Sequence, residues 1–142
     1  MTIEEKKSGI WKKVQKAQRV VLTTHVRPDG DGLASELALY MILTSMGKDV
    51  FIVNQDKTPE MYAWLPKADV IHTYANNGPW DVQGIDLAIL LDCVAENRVG
   101  SVYEYIKRAA RIICIDHHEN SGEDEDYYID AVSYTHLTLP TN

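Results

Sequence analysis

Three short apolar runs in this chain each end on an acidic or imidazole side chain, and that repetition constrains the fold more than any other feature. Arg19-Val20-Val21-Leu22-Thr23-Thr24 delivers His25, Leu87-Ala88-Ile89-Leu90-Leu91 lies between Asp86 and Asp92, and Arg111-Ile112-Ile113-Cys114-Ile115 delivers Asp116. Runs this short, apolar at consecutive positions, suit strands buried on both faces rather than strands with one wet face. Parallel strands need crossover connections, and helical patterns lie between the runs. The implied fold is α/β, an open, mostly parallel sheet with helices on both faces. Ligands bind such sheets outside the carboxyl ends of the strands, where His25, Asp92 and Asp116 would all arrive.

The remaining elements follow from period and punctuation. Thr2 and Glu5 form a capping box for a helix running to about Ala17, with Ile10, Trp11, Val14 and Ala17 on one face and Lys12, Lys13, Gln15 and Lys16 on the other. A second helical pattern covers residues 33–46 and stops at Gly47. Residues 49–54 read as a buried strand, joined to the first by a right-handed crossover. A short helix or turn is expected over 59–64, a strand over 70–73, and a helix over 99–110 with Val99, Val102, Tyr103 and Ile106 on one face. His72 reads as structural or exposed. Asn76-Asn77-Gly78-Pro79 is a loop by composition, and Trp80 beyond it fits core packing better than stacking on a base.

The chemistry concentrates in His25-Val26-Arg27-Pro28-Asp29-Gly30-Asp31. Pro28 and Gly30 let the chain turn sharply enough to bring two carboxylates together. Carboxylates that close repel unless a cation lies between them, and imidazole with carboxylate suits a divalent ion such as manganese. The competing reading of Pro28-Asp29-Gly30-Asp31 is a solvated turn. Asp116-His117-His118 and Asp92, arriving at the same sheet edge, weigh against it, because burying so many polar groups without partners would cost several kcal/mol. The second helix starts beside Asp29 and Asp31, where its positive end favours anions. Ser35 there either orients a carboxylate or phosphate or is an ordinary early-helix serine.

These residues resemble the DHH phosphoesterase family, named for an Asp-His-His triplet. His25, Asp29 and Asp31 match its first motif, Asp92 followed by Arg98 and Gly100 its second, and Asp116-His117-His118 its third. Asn54-Gln55-Asp56 with Pro59, Tyr62 and Leu65-Pro66 resembles the oligoribonuclease and 3'-phosphoadenosine-5'-phosphate phosphatase branch. The resemblance implies two-metal hydrolysis of a phosphoester in short oligoribonucleotides or 3'-phosphoadenosine 5'-phosphate. It assigns one ion to His25 and Asp29, the other to Asp31 and His117, with Asp92 bridging. The ions would be Mn2+, with Mg2+ or Co2+ as substitutes. His118 would contact the phosphate or protonate the leaving oxygen, Asp116 would orient a ligand histidine, and Arg98 would clamp a phosphate. The rival enzyme reading is a cyclic-dinucleotide phosphodiesterase, with a manganese pyrophosphatase behind it. The rival from another class is a domain that binds metal or nucleotide without turnover.

The family pattern continues to a further metal-binding aspartate and a smaller carboxy-terminal domain that grips substrate. Neither is recognised here, so residues 1–131 are expected to be a partial DHH domain with weak or no activity alone. The full-length protein is expected to be active and a homodimer. Residues 119–126 read as a solvated acidic loop. Residues 132–142 lack any helical period and resemble a translated sequencing-adapter tail, so they are expected to be non-native or disordered, and His136 is not counted as a ligand.

The net charge of −7 excludes a nucleic-acid binder working through a broad basic surface. It does not exclude a phosphoester enzyme, since two divalent ions reverse the local field. Cys93 and Cys114 lack CxxC spacing and are expected to be reduced core residues. With no signal-peptide pattern and no bilayer-length apolar run, a soluble cytoplasmic protein without membrane partners is expected.

Overall fold

Side chains of a strand alternate between the two faces of a sheet, and in this protein both faces are dry. The structure, a computed structural model, describes residues 2–74, 84–93, 96–116 and the backbone of 127–129. Its strands are β1 (Arg19–Thr23), β2 (Asp49–Asn54), β3 (Ile71–Thr73), β4 (Leu87–Leu91), β5 (Arg111–Asp116) and β6 (Tyr127–Ile129). They form one sheet in the order β3-β2-β1-β4-β5-β6, with every neighbouring pair parallel. Helices α1 (Ile3–Lys16) and α2 (Gly30–Ser45) precede and follow β1, and α3 (Tyr103–Ile106) lies between β4 and β5.

On one face Val20, Leu22, Ile52, Leu87, Ile89 and Ile113 pack with Ile10 and Val14 of α1 and Leu37 and Leu43 of α2. On the other, Val21, Val53, Ala88, Leu90 and Cys114 pack with Val99, Val102, Tyr105 and Ile106. Each aliphatic side chain so buried contributes roughly 1.5–3 kcal/mol. Because β1 and β4 bury nearly every residue, the centre of the sheet carries the largest share. The doubly wound sheet with helices on both faces is therefore as expected. Cys93 and Cys114 are both buried thiols outside any disulfide, and among the described residues no helix is long and apolar enough to cross a membrane.

The ends of the elements are fixed by polar contacts. Thr2 Oγ1 accepts the Glu5 N–H at 3.1 Å, capping α1. Asp86 Oδ2 accepts the N–H groups of Gln18 and Arg19, each at 2.8 Å, locking the start of β1 to that of β4. The Arg19 and Gln18 amides hold the Asp86 carboxyl below the usual range.

Two expectations are corrected. Trp11 lies outside the core and is 45% exposed, because it sits about 100° around the helix from Ile10, off the stripe formed by Ile10, Val14 and Ala17. The helix expected over 99–110 is instead a run of 3-10 turns over Glu96–Val102 followed by the four-residue α3. Gly100 interrupts it at φ 80°, ψ −155°, a backbone conformation that only glycine adopts readily. Trp80 and the segments 119–126 and 132–142 lie outside the described residues.

Helix α2 starts unusually close to the end of β1. A Cβ on Gly32 would collide with the hydroxyl of Thr24, which is fully buried. Gly32→Ala is predicted to lower the unfolding free energy by about 1–3 kcal/mol, the range for overpacking, as measured by urea denaturation. Stability equal to the parent's would show that α2 stands further from Thr24.

Candidate metal centre

Strands β1 and β4 are neighbours, and the chain leaves them in opposite directions across the sheet, so their carboxyl ends open the crevice where α/β sheets bind ligands. β1 is followed there by His25 and β4 by Asp92. Asp92 takes φ 59°, the left-handed region, at a cost of about 1–2 kcal/mol for a residue with a Cβ. Its N–H still donates to Ile115 O at 2.9 Å. The ladder is thus kept to the last residue while the chain turns away.

The loop after β1 is held on several sides. Val26 N–H donates to Arg98 O at 2.7 Å, and Arg27 N–H donates to Asp56 Oδ2 at 2.7 Å. Asp29 caps α2, its Oδ1 accepting the Gly32 N–H at 3.1 Å. Gly100 permits the 3-10 segment to close on this loop, since a Cβ there would lie 2.8 Å from Gln55 Cγ and 2.9 Å from Val26 Cγ1.

Inside this frame His25 Nδ1 lies 2.6 Å from Val26 O. A carbonyl only accepts, so Nδ1 donates and Nε2 is the ring atom aimed into the crevice. Nε2 lies 3.5 Å from Asp29 Oδ2 and 3.4 Å from Asp92 Oδ2. Ligand atoms of His25, Asp29 and Asp92 all fall within 4.8 Å of one another. Asp92 is buried, His25 half-buried and Asp29 exposed. Burial pushes the Asp29 carboxyl up, but the Gly32 N–H and the attraction of His25 outweigh it and leave the group below its ordinary value. Three electron-pair donors thus face one another at one point, and a shared divalent cation resolves that arrangement. The donor set fits such an ion, since imidazole and carboxylate together suit manganese and its neighbours.

Of the residues singled out from sequence, His25, Asp29 and Asp92 are brought together. Asp31, exposed in the first turn of α2, and Asp116, buried at the end of β5, reach the same edge of the sheet outside that group. Ser35 is exposed on α2. Arg98 is exposed, and the contact it makes to the site loop is through its backbone carbonyl. His72 is exposed on β3. His117 and His118 lie outside the described residues.

The sequence profile of the DHH family, N-terminal domain, matches residues 19–137. The chain belongs to the DHH family. A search of curated proteins matched none of them. Among solved structures, the DHH domain is similar to an exopolyphosphatase-related protein from Bacteroides fragilis, at 27% identity and a TM-score of 0.78. That match covers 89% of this chain and 38% of the other, so this chain spans well under half the length of its structural relative.

Sequence reasoning missed a polar group beneath the DHH site. Glu36 of α2 is fully buried, and its Oε1 accepts from Asn54 Nδ2 at 2.9 Å. Asn54 Oδ1 in turn accepts the Thr24 N–H at 3.1 Å. Burial pushes the Glu36 carboxyl well above its ordinary value of 4.5, outweighing the hydrogen bond from Asn54. The available signal was an acid placed within the apolar stripe of Leu33, Leu37 and Tyr40.

Glu36 is therefore protonated in the folded chain over a pH range where the unfolded chain has lost that proton. Stability is full below the unfolded value and falls as pH rises above it. Glu36→Gln removes this loss. Urea denaturation from pH 4.5 to 8 is predicted to shift the stability difference in favour of the variant, by up to about 1.4 kcal/mol per pH unit. A difference that stays flat with pH would mean that Glu36 is ionised when folded.

Proposed function

We propose that this DHH domain forms the metal-binding half of a phosphoester hydrolase. The observation that carries the reading is the convergence of His25 Nε2 with Asp29 and the buried Asp92 at the crevice between β1 and β4. Divalent ions held there would stabilise charge on phosphoryl oxygens and make water acidic enough to attack near neutral pH. The residues of the chain do the rest. His25, Asp29 and Asp92 would hold one ion, and Asp31 and His117 are the proposed ligands of a second that Asp92 would share. His118 is the proposed residue to contact the phosphate or protonate the leaving oxygen, a role suited to imidazole. Asp116 orients a ligand histidine, and Arg98 and Ser35 meet the phosphate.

For substrate we favour short oligoribonucleotides or 3'-phosphoadenosine 5'-phosphate, with Mn2+ as the ion. Asn54, Asp56 and Tyr62 support this, being the residues whose pattern resembles that branch. Two of them brace the site: Asn54 holds the Thr24 amide and Asp56 that of Arg27. The name of the Bacteroides protein favours a second reading, polyphosphate hydrolysis. Because the chain spans only part of that relative, turnover is assigned to the longer protein, acting in the cytoplasm and as a homodimer, and metal binding to this one.

Calorimetric titration of this chain with manganese is predicted to show stoichiometric binding that Asp92→Asn abolishes. A folded chain that takes up no manganese would remove the basis of the proposal. In the longer protein, release of mononucleotides from a diribonucleotide, without release of phosphate from polyphosphate, separates the two substrate readings.

A further inference from the structure

The buried acid beneath the site has no role in the chemistry just described, yet its hydrogen bonds end on the residue before His25. Glu36 sits on α2, Asn54 at the end of β2 and Thr24 just past β1. Each of the three is fully buried. Their contacts form an unbroken series: Asn54 Nδ2 donates to Glu36 Oε1 at 2.9 Å, Thr24 N–H donates to Asn54 Oδ1 at 3.1 Å, and Thr24 Oγ1 donates to Leu91 O at 2.7 Å. Leu91 immediately precedes Asp92. The series therefore runs from a helix, across β2, to the backbone beside both His25 and Asp92.

We propose that Glu36 and Asn54 are positioning residues for the cation site, a buried acid and amide that fix Thr24 and through it the relative placement of His25 and Asp92. The inference rests on the reading of that site as a divalent-cation centre.

Three features of the geometry support it. The β1–β2 ladder pairs Leu22 with Ile52, and beyond it the Asn54 side chain takes over, accepting the buried N–H of Thr24. Gly32 leaves room for the Thr24 hydroxyl, so the helix that carries Glu36 is seated against the residue that Asn54 holds. Glu36 Oε2 is buried and makes no hydrogen bond among the described residues, which burial tolerates far better in a neutral acid than in a carboxylate. Replacing the acid alone would leave Asn54 Nδ2 buried without its acceptor, but replacing a whole buried polar network by well-packed apolar groups often loses no stability. Retaining the whole network here is thus poorly explained by folding alone. Groups that hold metal ligands from behind typically change metal affinity ~10–100-fold when altered.

The test uses this chain with Glu36→Gln, Glu36→Leu and Asn54→Ser, read in two ways. In the metal-free chain, NMR follows hydrogen exchange of the Thr24 amide and the chemical shifts of the His25 ring. Calorimetry then gives manganese affinity, and thermal unfolding by circular dichroism reports the fold. Glu36→Gln keeps an acceptor for Asn54 and is expected to match the parent in Thr24 exchange and in affinity. Glu36→Leu leaves Asn54 Nδ2 without its acceptor and is expected to melt below the parent yet remain folded, while Thr24 exchange accelerates more than that of other central-sheet amides and manganese affinity falls ~10–100-fold. Asn54→Ser is expected to show the same losses, and it decides the matter if Glu36→Leu does not fold. The proposal is overturned if folded Glu36→Leu and Asn54→Ser keep the parent's Thr24 exchange and His25 shifts, or if Glu36→Gln fails as Glu36→Leu does. A parent that binds no manganese defeats the cation reading instead, and the exchange data still decide whether Glu36 positions Thr24.

Discussion

Two carboxylates aimed at one point repel one another unless a cation lies between them, and the fold around β1 and β4 brings Asp29 and Asp92 there together with the His25 ring nitrogen. Asp92 is buried and turns through a left-handed backbone conformation to reach it. The His25 ring is fixed by its Nδ1 contact to Val26 O, which leaves only Nε2 for the crevice. Asp29 is committed on one oxygen to the first turn of α2, which leaves the other for the same point. His25 and Asp29 each arrive with one atom already occupied by the scaffold and one offered to a cation, and the backbone turn at Asp92 brings its carboxylate to the same point.

The sheet makes this affordable. Its two apolar faces supply stability independently of the edge, so the polar crowding at the carboxyl ends is offset by burial elsewhere. Strand order places the change of winding direction between β1 and β4, and the site forms where the outgoing loops part. The 3-10 segment over Glu96–Val102 then crosses behind the loop, docking through Arg98 O and Gly100 rather than through an arginine side chain. These contacts account for the glycine that accompanies Asp92 in the second motif, since it permits the close approach, whereas the contact at position 98 is made by a backbone carbonyl that any residue would supply.

What sequence revealed and what it concealed follow from the range of each interaction. The strands of the centre were legible because burial on both faces writes an uninterrupted apolar run, and the three proposed ligands were legible because each closes such a run or its turn. Trp11 was misplaced because apolar character was counted without its angle around the helix. The helix over 99–110 failed at Gly100, which takes a non-helical conformation and lies against Gln55 and Val26, residues distant in sequence, too closely for a Cβ to fit. Asn54 was noticed as part of a pattern, but its bond to Glu36 is a tertiary contact that no local period records. The acid itself left a trace, a charge within the apolar stripe of α2.

The most direct measurement is anomalous scattering at the manganese edge from crystals of this chain grown with Mn2+. The account predicts a peak within bonding distance of His25 Nε2 and of carboxylate oxygens of Asp29 and Asp92. Manganese found only along the acidic segment 119–126, or a clear map with no peak between β1 and β4, would contradict it.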